Sequence, residues 1–484
     1  MARALMFQGT GSDVGKTVLV AGLCRAAYHR GLRVKPFKPQ NMSNNAAVAL
    51  EGGEIGRGQW LQALACKVDP SIHMNPVLLK PQSAAGAQII LQGKYVGDVK
   101  ARDYAHSKQQ LKTKAVESFR KVSEGSDLVL VEGAGSPAEI NLRKGDIANM
   151  GFAEAVNIPV VLIGDIDRGG VIASLVGTYV ILNVQDRLRI KGYIINKFRG
   201  DATLFDDGLK AIGDYTNWPN FGVVPWLPDF KILPAEDSMK LNQLSNQDKS
   251  SVKIVVPVTS HIANFDDLDP LMNEPGVDII FVRHGETIPT AADAVILPGS
   301  KSTIADMIEM HKNGWARQII RLAQSGTQVI GICGGFQMLG QKIADPYAIE
   351  GSDREVQGLK LLRITTELTS AKTVRNIQAQ SLQFGVTLSG YEIHMGKTTG
   401  ESCAQPVFRV DGVDEGATSE TGAIWGTYIH GLFESGAFRR KFLTTLGAES
   451  DGRSHLQKVD YALDRIACSL EKALDLDSLF ALAQ

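Results

Sequence analysis

Cys333 stands between an apolar run, Val329-Ile-Gly-Ile332, and the stretch Gly334-Gly-Phe-Gln-Met-Leu339, which reads as the start of a helix. The spacing Gly331-x-Cys333-x-Gly335 is that of a nucleophile elbow with sulfur in place of oxygen, in which small residues let the chain turn sharply and lift the side chain off the sheet edge. The positive end of the following helix favours the thiolate, the form that attacks carbon. Acyl chemistry on sulfur is therefore expected.

That chemistry needs a proton carrier and donors for an oxyanion. His430, in Gly426-Thr-Tyr-Ile-His-Gly431, falls at the tip of an apolar run, 423–429, and is the expected base. His394, in Gly390-Tyr-Glu-Ile-His-Met-Gly396, competes for that role or faces the substrate or the core. Backbone donors are expected after the cysteine at Gly334, and at Gly299 in the turn Leu297-Pro-Gly-Ser-Lys301. Leu432 occupies the position two after His430, and the nearest acid is Glu434. The expectation is thus a Cys333–His430 dyad, with Glu434 at most a weak third member and the imidazole tautomer fixed by other means.

A different chemistry opens the chain. Gly9-Thr-Gly-Ser-Asp-Val-Gly-Lys-Thr17 follows a short apolar run and precedes a helical pattern, the setting of a phosphate loop. It is a variant, since Thr10 stands where the strict pattern has glycine. Thr10, Gly11 and Gly15 still allow backbone N–H groups to converge on phosphate oxygens, Lys16 reaches the terminal phosphates, and Thr17 offers a hydroxyl to Mg²⁺. Glu132, ending the buried run Asp127-Leu-Val-Leu-Val-Glu132, is the expected acid for the metal, with Glu54 as a second candidate. Asn196, in Ile194-Ile-Asn-Lys-Phe-Arg199, is either a nucleobase partner or a turn former.

These residues need elements to hold them. Apolar runs at 4–7, 32–37, 128–131, 160–163 and 193–195 alternate with helical patterns, and the rhythm returns at 254–258, 278–282, 294–297, 329–332 and 423–429. The expected fold class is α/β, two doubly wound domains with parallel sheets and helices. In such sheets ligands gather at the carboxyl ends of the strands, so Lys38, Asn41, Arg57 and Arg168, in polar strand-end loops, are candidates to grip an anionic substrate, or else are surface charges and caps. The polar stretch Leu244-Ser-Asn-Gln-Asp-Lys-Ser-Ser251 reads as a linker. The boundaries follow as 1–244 for the first domain and 252–440 for the second, with a helical segment at 441–484 expected to pack on the second.

At 484 residues the chain suits two or three domains. A net charge of -1 supplies no field that would recruit nucleic acid or an anionic membrane. Five scattered cysteines without a paired spacing read as reduced thiols, and no long apolar span stands out, so a cytoplasmic protein with no membrane or nucleic-acid partner is expected.

Gly331-Ile-Cys-Gly-Gly-Phe-Gln-Met-Leu-Gly340 with the later Tyr428-Ile-His-Gly431 resembles a class I glutamine amidotransferase domain of the cobyric and cobyrinic acid type, and Gly9 to Thr17 resembles a dethiobiotin-synthetase-like ATPase domain. In this order, and with Gln40-Asn-Met-Ser-Asn-Asn45, Gly53-Glu-Ile-Gly-Arg57, Met74 to Lys80, Val131 to Ser136, Asn264-Phe-Asp-Asp-Leu-Asp-Pro-Leu271 and Gly390 to Gly396, they resemble the cobyric acid synthase family over nearly the whole chain. The resemblance implies four ATP- and Mg²⁺-dependent amidations, on the b, d, e and g carboxylates of a small corrinoid, adenosylcobyrinic acid a,c-diamide, with glutamine as nitrogen donor. It implies a glutamyl thioester on Cys333 and, in the first domain, an acyl phosphate that ammonia attacks. Two other readings share parts of this pattern: a cobyrinic acid a,c-diamide synthase, which shares both modules, and a ParA-like switch ATPase, in which Cys333 has no purpose.

Overall fold

The computed structural model describes residues 2–83, 86–100, 104–234, 252–351 and 353–484. The expected linker, Leu244 to Ser251, lies outside the described residues. The chain divides into two compact units: Met1–Ser43, Ala49–Glu236 and Val459–Gln484 form one, and Asn44–Val48 with Asp237–Lys458 the other. Among the described residues no helix is long and apolar enough to cross a membrane.

The first unit is built on six parallel strands in the order Asn220–Pro225, Ile190–Phe198, Val160–Asp165, Arg3–Gly9, Leu128–Glu132, Val34–Phe37. The central strands are apolar on both sides because both faces are covered. Leu5, Phe7, Leu128, Leu130, Val161 and Ile163 enter one core with the helices Lys16–His29 and Arg57–Ala65. Their neighbours Ala4, Met6, Val129, Val131, Val160 and Leu162 enter the opposite core, with Phe119, Phe152, Leu175 and Ile212 from the helices of that face. Five of these strands were legible as apolar runs. A four-stranded sheet, Gln40–Met42, Val77–Ser83, Gly86–Leu91 and Lys94–Lys100, was not.

The C-terminal segment corrects the sequence reading. The helix His455–Ala473 carries Val459, Ala462, Leu463, Ile466, Ala467 and Leu470 at three- and four-residue spacing, and this stripe lies in the first unit's core. A Cβ on Gly22 would come within 2.6 Å of Leu470 Cδ1 and 2.7 Å of Ile466 Cγ2, so the glycine lets the two helices close up. Arg25, buried, donates to Asp460 at 2.6 Å and Asp464 at 2.5 Å, and to the backbone oxygens of Leu64 and Ala65. At about 1.5–3 kcal/mol for each large apolar side chain buried, these contacts decide where the segment packs. The last residue also pairs with the first strand, Ala4 N to Gln484 O at 2.8 Å. Only the helix Gly436–Thr445 stays with the second unit, where Arg439 donates to Glu274 at 2.6 Å with both side chains fully buried.

The second unit holds the parallel strands Val277–Val282, Val252–Pro257, Ala294–Leu297, Gln328–Ile332 and Ile424–Thr427 in that order, closed by the antiparallel Ala417–Thr418. A second sheet rests on the long antiparallel pair Thr365–Ser381 and Thr387–Thr399. The run 423–429 does not end as one strand. It leaves the first sheet after Thr427, and Ile429–His430 joins the second sheet opposite Tyr391 and Glu392.

Candidate active site

In the second unit Cys333 follows the strand Gln328–Ile332 with φ 54° and ψ −108°, a backbone region that a side chain disfavours. The cysteine itself takes the strained turn. Gly335 serves close approach instead, because a Cβ there would lie 2.0 Å from Leu297 O. The helix that follows, Gly334–Met338, has five residues, so its dipole is a smaller influence on the thiol than a neighbouring charge.

That charge is His430. Its Nδ1 lies 2.7 Å from Asp267 Oδ2, with both side chains buried, and Gly431 N donates to Asp267 Oδ1 at 2.6 Å. Burial opposes an imidazolium here, but the Asp267 carboxylate and the Cys333 sulfur outweigh it and raise the His430 pKa to about 10. Tyr391 stacks flat on the ring, centroids 5.1 Å apart, and its hydroxyl accepts from Asn264 Nδ2 at 3.0 Å. The expected dyad is therefore corrected to a triad, Cys333–His430–Asp267. Glu434 lies in the short turn Leu432–Glu434, where its N–H bonds back to Gly431 O, while the Nδ1 of His430 already has its carboxylate.

Asp267 escaped the sequence reading because it precedes His430 by 163 residues. The sequence shows only three acids, Asp266, Asp267 and Asp269, close together in Asn264 to Leu271; the structure buries all three, and buried carboxylates require partners.

His394 stacks on Tyr428 at 3.8 Å between centroids, and burial, with the nearby His430 charge, depresses its pKa to about 4. It is neutral at physiological pH and a poor base. Gly299, in the short strand Gly299–Ser300, and Gly334, at the start of the helix after Cys333, both border these three side chains. A Cβ on Gly299 would lie 3.2 Å from His430 Cε1, and one on Gly334 would lie 2.8 Å from Ser300 N.

In the first unit the phosphate loop adopts the expected strand–loop–helix form, with Gly15 at φ 88° before the helix Lys16–His29. Lys16 Nζ donates to Gly11 O at 3.0 Å and Gly135 O at 3.1 Å. Glu132 is fully buried at its strand end and accepts from Thr17 Oγ1 at 2.9 Å, Lys38 Nζ at 2.9 Å and Gln62 Nε2 at 2.5 Å. Thr17 and the buried acid Glu132 thus meet beside the loop that carries Lys16.

Several expected residues sit differently. The Thr10 N–H donates to Ile163 O and extends the sheet, so it is not one of the loop's free amides. Asn196 Nδ2 donates to Val14 O at 2.8 Å and braces the loop from behind, a role the sequence did not suggest. Glu54 faces Lys80 at 2.8 Å, a buried pair in the unit's smaller sheet region. Lys38, Asn41 and Arg57 are buried: Lys38 on Glu132, Asn41 against Gln59 at 3.3 Å, and Arg57 over the Trp60 ring at 4.1 Å. Of the four expected anion grips only Arg168 is open to solvent, near Asp13 and Asp165.

Residues 5–241 match the family of CobQ/CobB/MinD/ParA nucleotide binding domains, and residues 253–438 that of CobB/CobQ-like glutamine amidotransferase domains. The cobyric acid synthase of Sinorhizobium fredii is 60% identical over 475 residues, covering 98% of each chain. Those of Mesorhizobium japonicum and Brucella suis are each 58% identical, over 491 and 483 residues, and cover both chains completely. The chain belongs to the cobyric acid synthase family. Membership explains why one chain carries both a phosphate loop and a thiol triad, two sites that neither a thiol hydrolase nor a switch ATPase would combine.

Proposed function

We propose that this protein amidates the b, d, e and g carboxylates of adenosylcobyrinic acid a,c-diamide to give adenosylcobyric acid, a step of cobalamin biosynthesis, taking nitrogen from glutamine and activation from ATP. The observation that carries the reading is the Cys333–His430–Asp267 array, encoded in one chain with the loop that gathers Lys16, Thr17 and Glu132. An enzyme that only hydrolysed glutamine would need no phosphate loop.

At the thiol, the Cys333 thiolate adds to the glutamine carboxamide carbon while backbone N–H groups near Gly299 and Gly334 take the oxyanion charge. The His430 imidazolium gives its proton to the departing nitrogen, which leaves as ammonia, and a glutamyl thioester remains. Neutral His430 then draws a proton from water as it attacks the thioester, so glutamate leaves and the thiolate–imidazolium pair is restored. Asp267 holds the ring by Nδ1, which leaves the other nitrogen to face sulfur and substrate.

At the phosphate loop, Lys16 gives up neutral carbonyl partners for phosphate oxygens, a favourable exchange for an ammonium. Transfer of the terminal phosphoryl group to a corrinoid carboxylate makes an acyl phosphate, and ammonia displaces phosphate from it. The oxygen donors of Thr17 and Glu132 suit Mg²⁺, which takes few protein ligands and completes its shell with phosphate and water. Among the described residues no three carboxylate, imidazole or thiol groups cluster to hold a metal by themselves. When bound, the ion offsets negative charge on the transferred group. All five cysteines are free thiols, and an ATP-consuming reaction that depends on one suits the cytoplasm.

The test is incubation with the a,c-diamide, ATP, Mg²⁺ and glutamine, followed by mass spectrometry of the corrinoid. Four successive exchanges of OH for NH₂ are expected. Conversion of cobyrinic acid at two positions, with the a,c-diamide left untouched, would replace this reading with that of a diamide synthase.

A further inference from the structure

Asp306 is fully buried in the first turn of the helix Thr303–Lys312, and its hydrogen bonds go to residues other than Cys333 and His430. Its carboxylate gathers four donors from two loops. Oδ2 accepts from Thr259 Oγ1 at 2.8 Å and Ser300 Oγ at 2.6 Å, while Oδ1 accepts from His261 N at 3.1 Å and stands 2.8 Å from His261 Nδ1. The carboxylate raises the pKa of the half-buried His261, which favours a second N–H donor toward the same acid.

The two loops it joins are those that border the reaction. Gly299–Ser300 pairs antiparallel with Ile262–Ala263, and Lys301 N donates to His261 O at 2.8 Å. Four residues beyond Ala263 is Asp267, which holds His430. On the other side Ser300 N faces Gly334, the residue after the nucleophile, and Gly299 faces the His430 ring. A single buried acid thus fixes the start of the segment that carries Asp267 and the strand that borders the thiol.

We infer that Asp306 is a positioning residue for glutamine hydrolysis: it clamps the Gly299–Ser300 backbone to the Thr259–Asp267 segment, so that the oxyanion donors and the imidazole keep one geometry as charge develops on the substrate oxygen. The inference rests on the assignment of the Gly299 loop as an oxyanion site. A buried polar network with every member satisfied is rigid, and oxyanion stabilisation falls steeply when donors drift by a fraction of an ångström. Asparagine at 306 has the same shape but only one acceptor oxygen, so two of the four donors would face an N–H group.

The experiment compares full-length wild type, Asp306→Asn and Ser300→Ala by four measurements: kcat and KM for glutamine hydrolysis, amidation fed with ammonium, alkylation of Cys333 by iodoacetamide, and inhibition by glutamate γ-semialdehyde. The aldehyde forms a thiohemiacetal whose oxygen needs the oxyanion donors, whereas alkylation needs only the thiolate. Expected for Asp306→Asn is a kcat for hydrolysis lowered on the order of 10–100-fold, KM within about twofold, unchanged alkylation and ammonium-fed amidation, and weakened aldehyde inhibition. Ser300→Ala, which removes one of the four bonds together with the one Ser300 Oγ accepts from Ser302 N at 3.1 Å, should move the same quantities by less. Unchanged kcat and aldehyde affinity in both variants would overturn the role of Asp306, as would alkylation that slows in step with kcat. Weak aldehyde inhibition of the wild type would overturn the oxyanion-loop assignment itself and this inference with it.

Discussion

The phosphate site and the thiol site both sit at the carboxyl ends of parallel strands, yet they are assembled in opposite ways. In the first unit most of the chemistry belongs to one continuous stretch, Gly9 to Thr17, plus Glu132 from the adjoining strand. In the second unit each functional group comes from a different part of the chain: Asp267 from the short helical turn Phe265–Leu268, Cys333 from a strand end, His430 from the point where the chain changes sheets. A site built from backbone N–H groups needs one loop of the right shape. A site built from a side-chain relay needs distant segments brought to hydrogen-bonding distance, and only the fold can do that.

The sharpest way to break this contrast is to disable the two sites in turn. Cys333→Ser should lower glutamine-dependent amidation on the order of 10⁴-fold or more and leave ammonium-fed amidation intact. Lys16→Ala should lower amidation from either nitrogen source by roughly 10³-fold. Loss of ammonium-fed turnover in the serine variant would show that the two chemistries are not separately housed.

Asp267→Asn tests whether the relay depends on its most distant member. Hydrolysis of glutamine should fall by roughly 10²–10⁴-fold. The sign of the pH effect follows from the raised His430 pKa: in the wild type the imidazolium persists up to about pH 10, so Cys333 keeps a positively charged neighbour through neutrality. Without Asp267 the ring should lose its proton nearer the ordinary value of about 6.5, and the alkylation profile of Cys333 should gain a step there. A profile unchanged from the wild type would remove Asp267 from the triad.

A smaller effect is expected from the C-terminal helix. Ile466→Ala should destabilise the first unit by about 2–4 kcal/mol in denaturant unfolding, with glutaminase activity little changed. Loss of glutaminase at equal stability would return the helix to the second unit. Smallest is His394→Gln: since a neutral ring held near pKa 4 is not the base, hydrolysis should fall by less than about tenfold, against a loss of orders of magnitude for His430→Ala.

What the sequence revealed follows the same division. The phosphate loop, the elbow cysteine and most parallel strands were legible because each is a local pattern of size, polarity and turn chemistry. The pair Thr365–Ser381 and Thr387–Thr399 was not, since its alternation of Thr, Gln and Glu with few apolar residues resembles a polar connection. The stripe from Val459 to Leu470 announced a helix with one buried face, but periodicity names no partner for that face. The sequence offers Lys38 as a substrate grip or a surface charge, because a lone lysine carries no sign that Glu132 waits for it inside the fold.

The backbone bond between Ala4 and Gln484 has a consequence during synthesis. Residues 459–484 leave the ribosome after the rest of both units, so the nucleotide-binding unit cannot complete its core until they emerge. The glutaminase unit, all upstream of residue 459, can fold first. The newborn chain would then carry a finished ammonia source before the partner that consumes ammonia exists, with the apolar surface meant for Ile466 and Leu470 bare in the interval. A chain cut short near residue 458 would keep that surface exposed and be a substrate for chaperones and proteases.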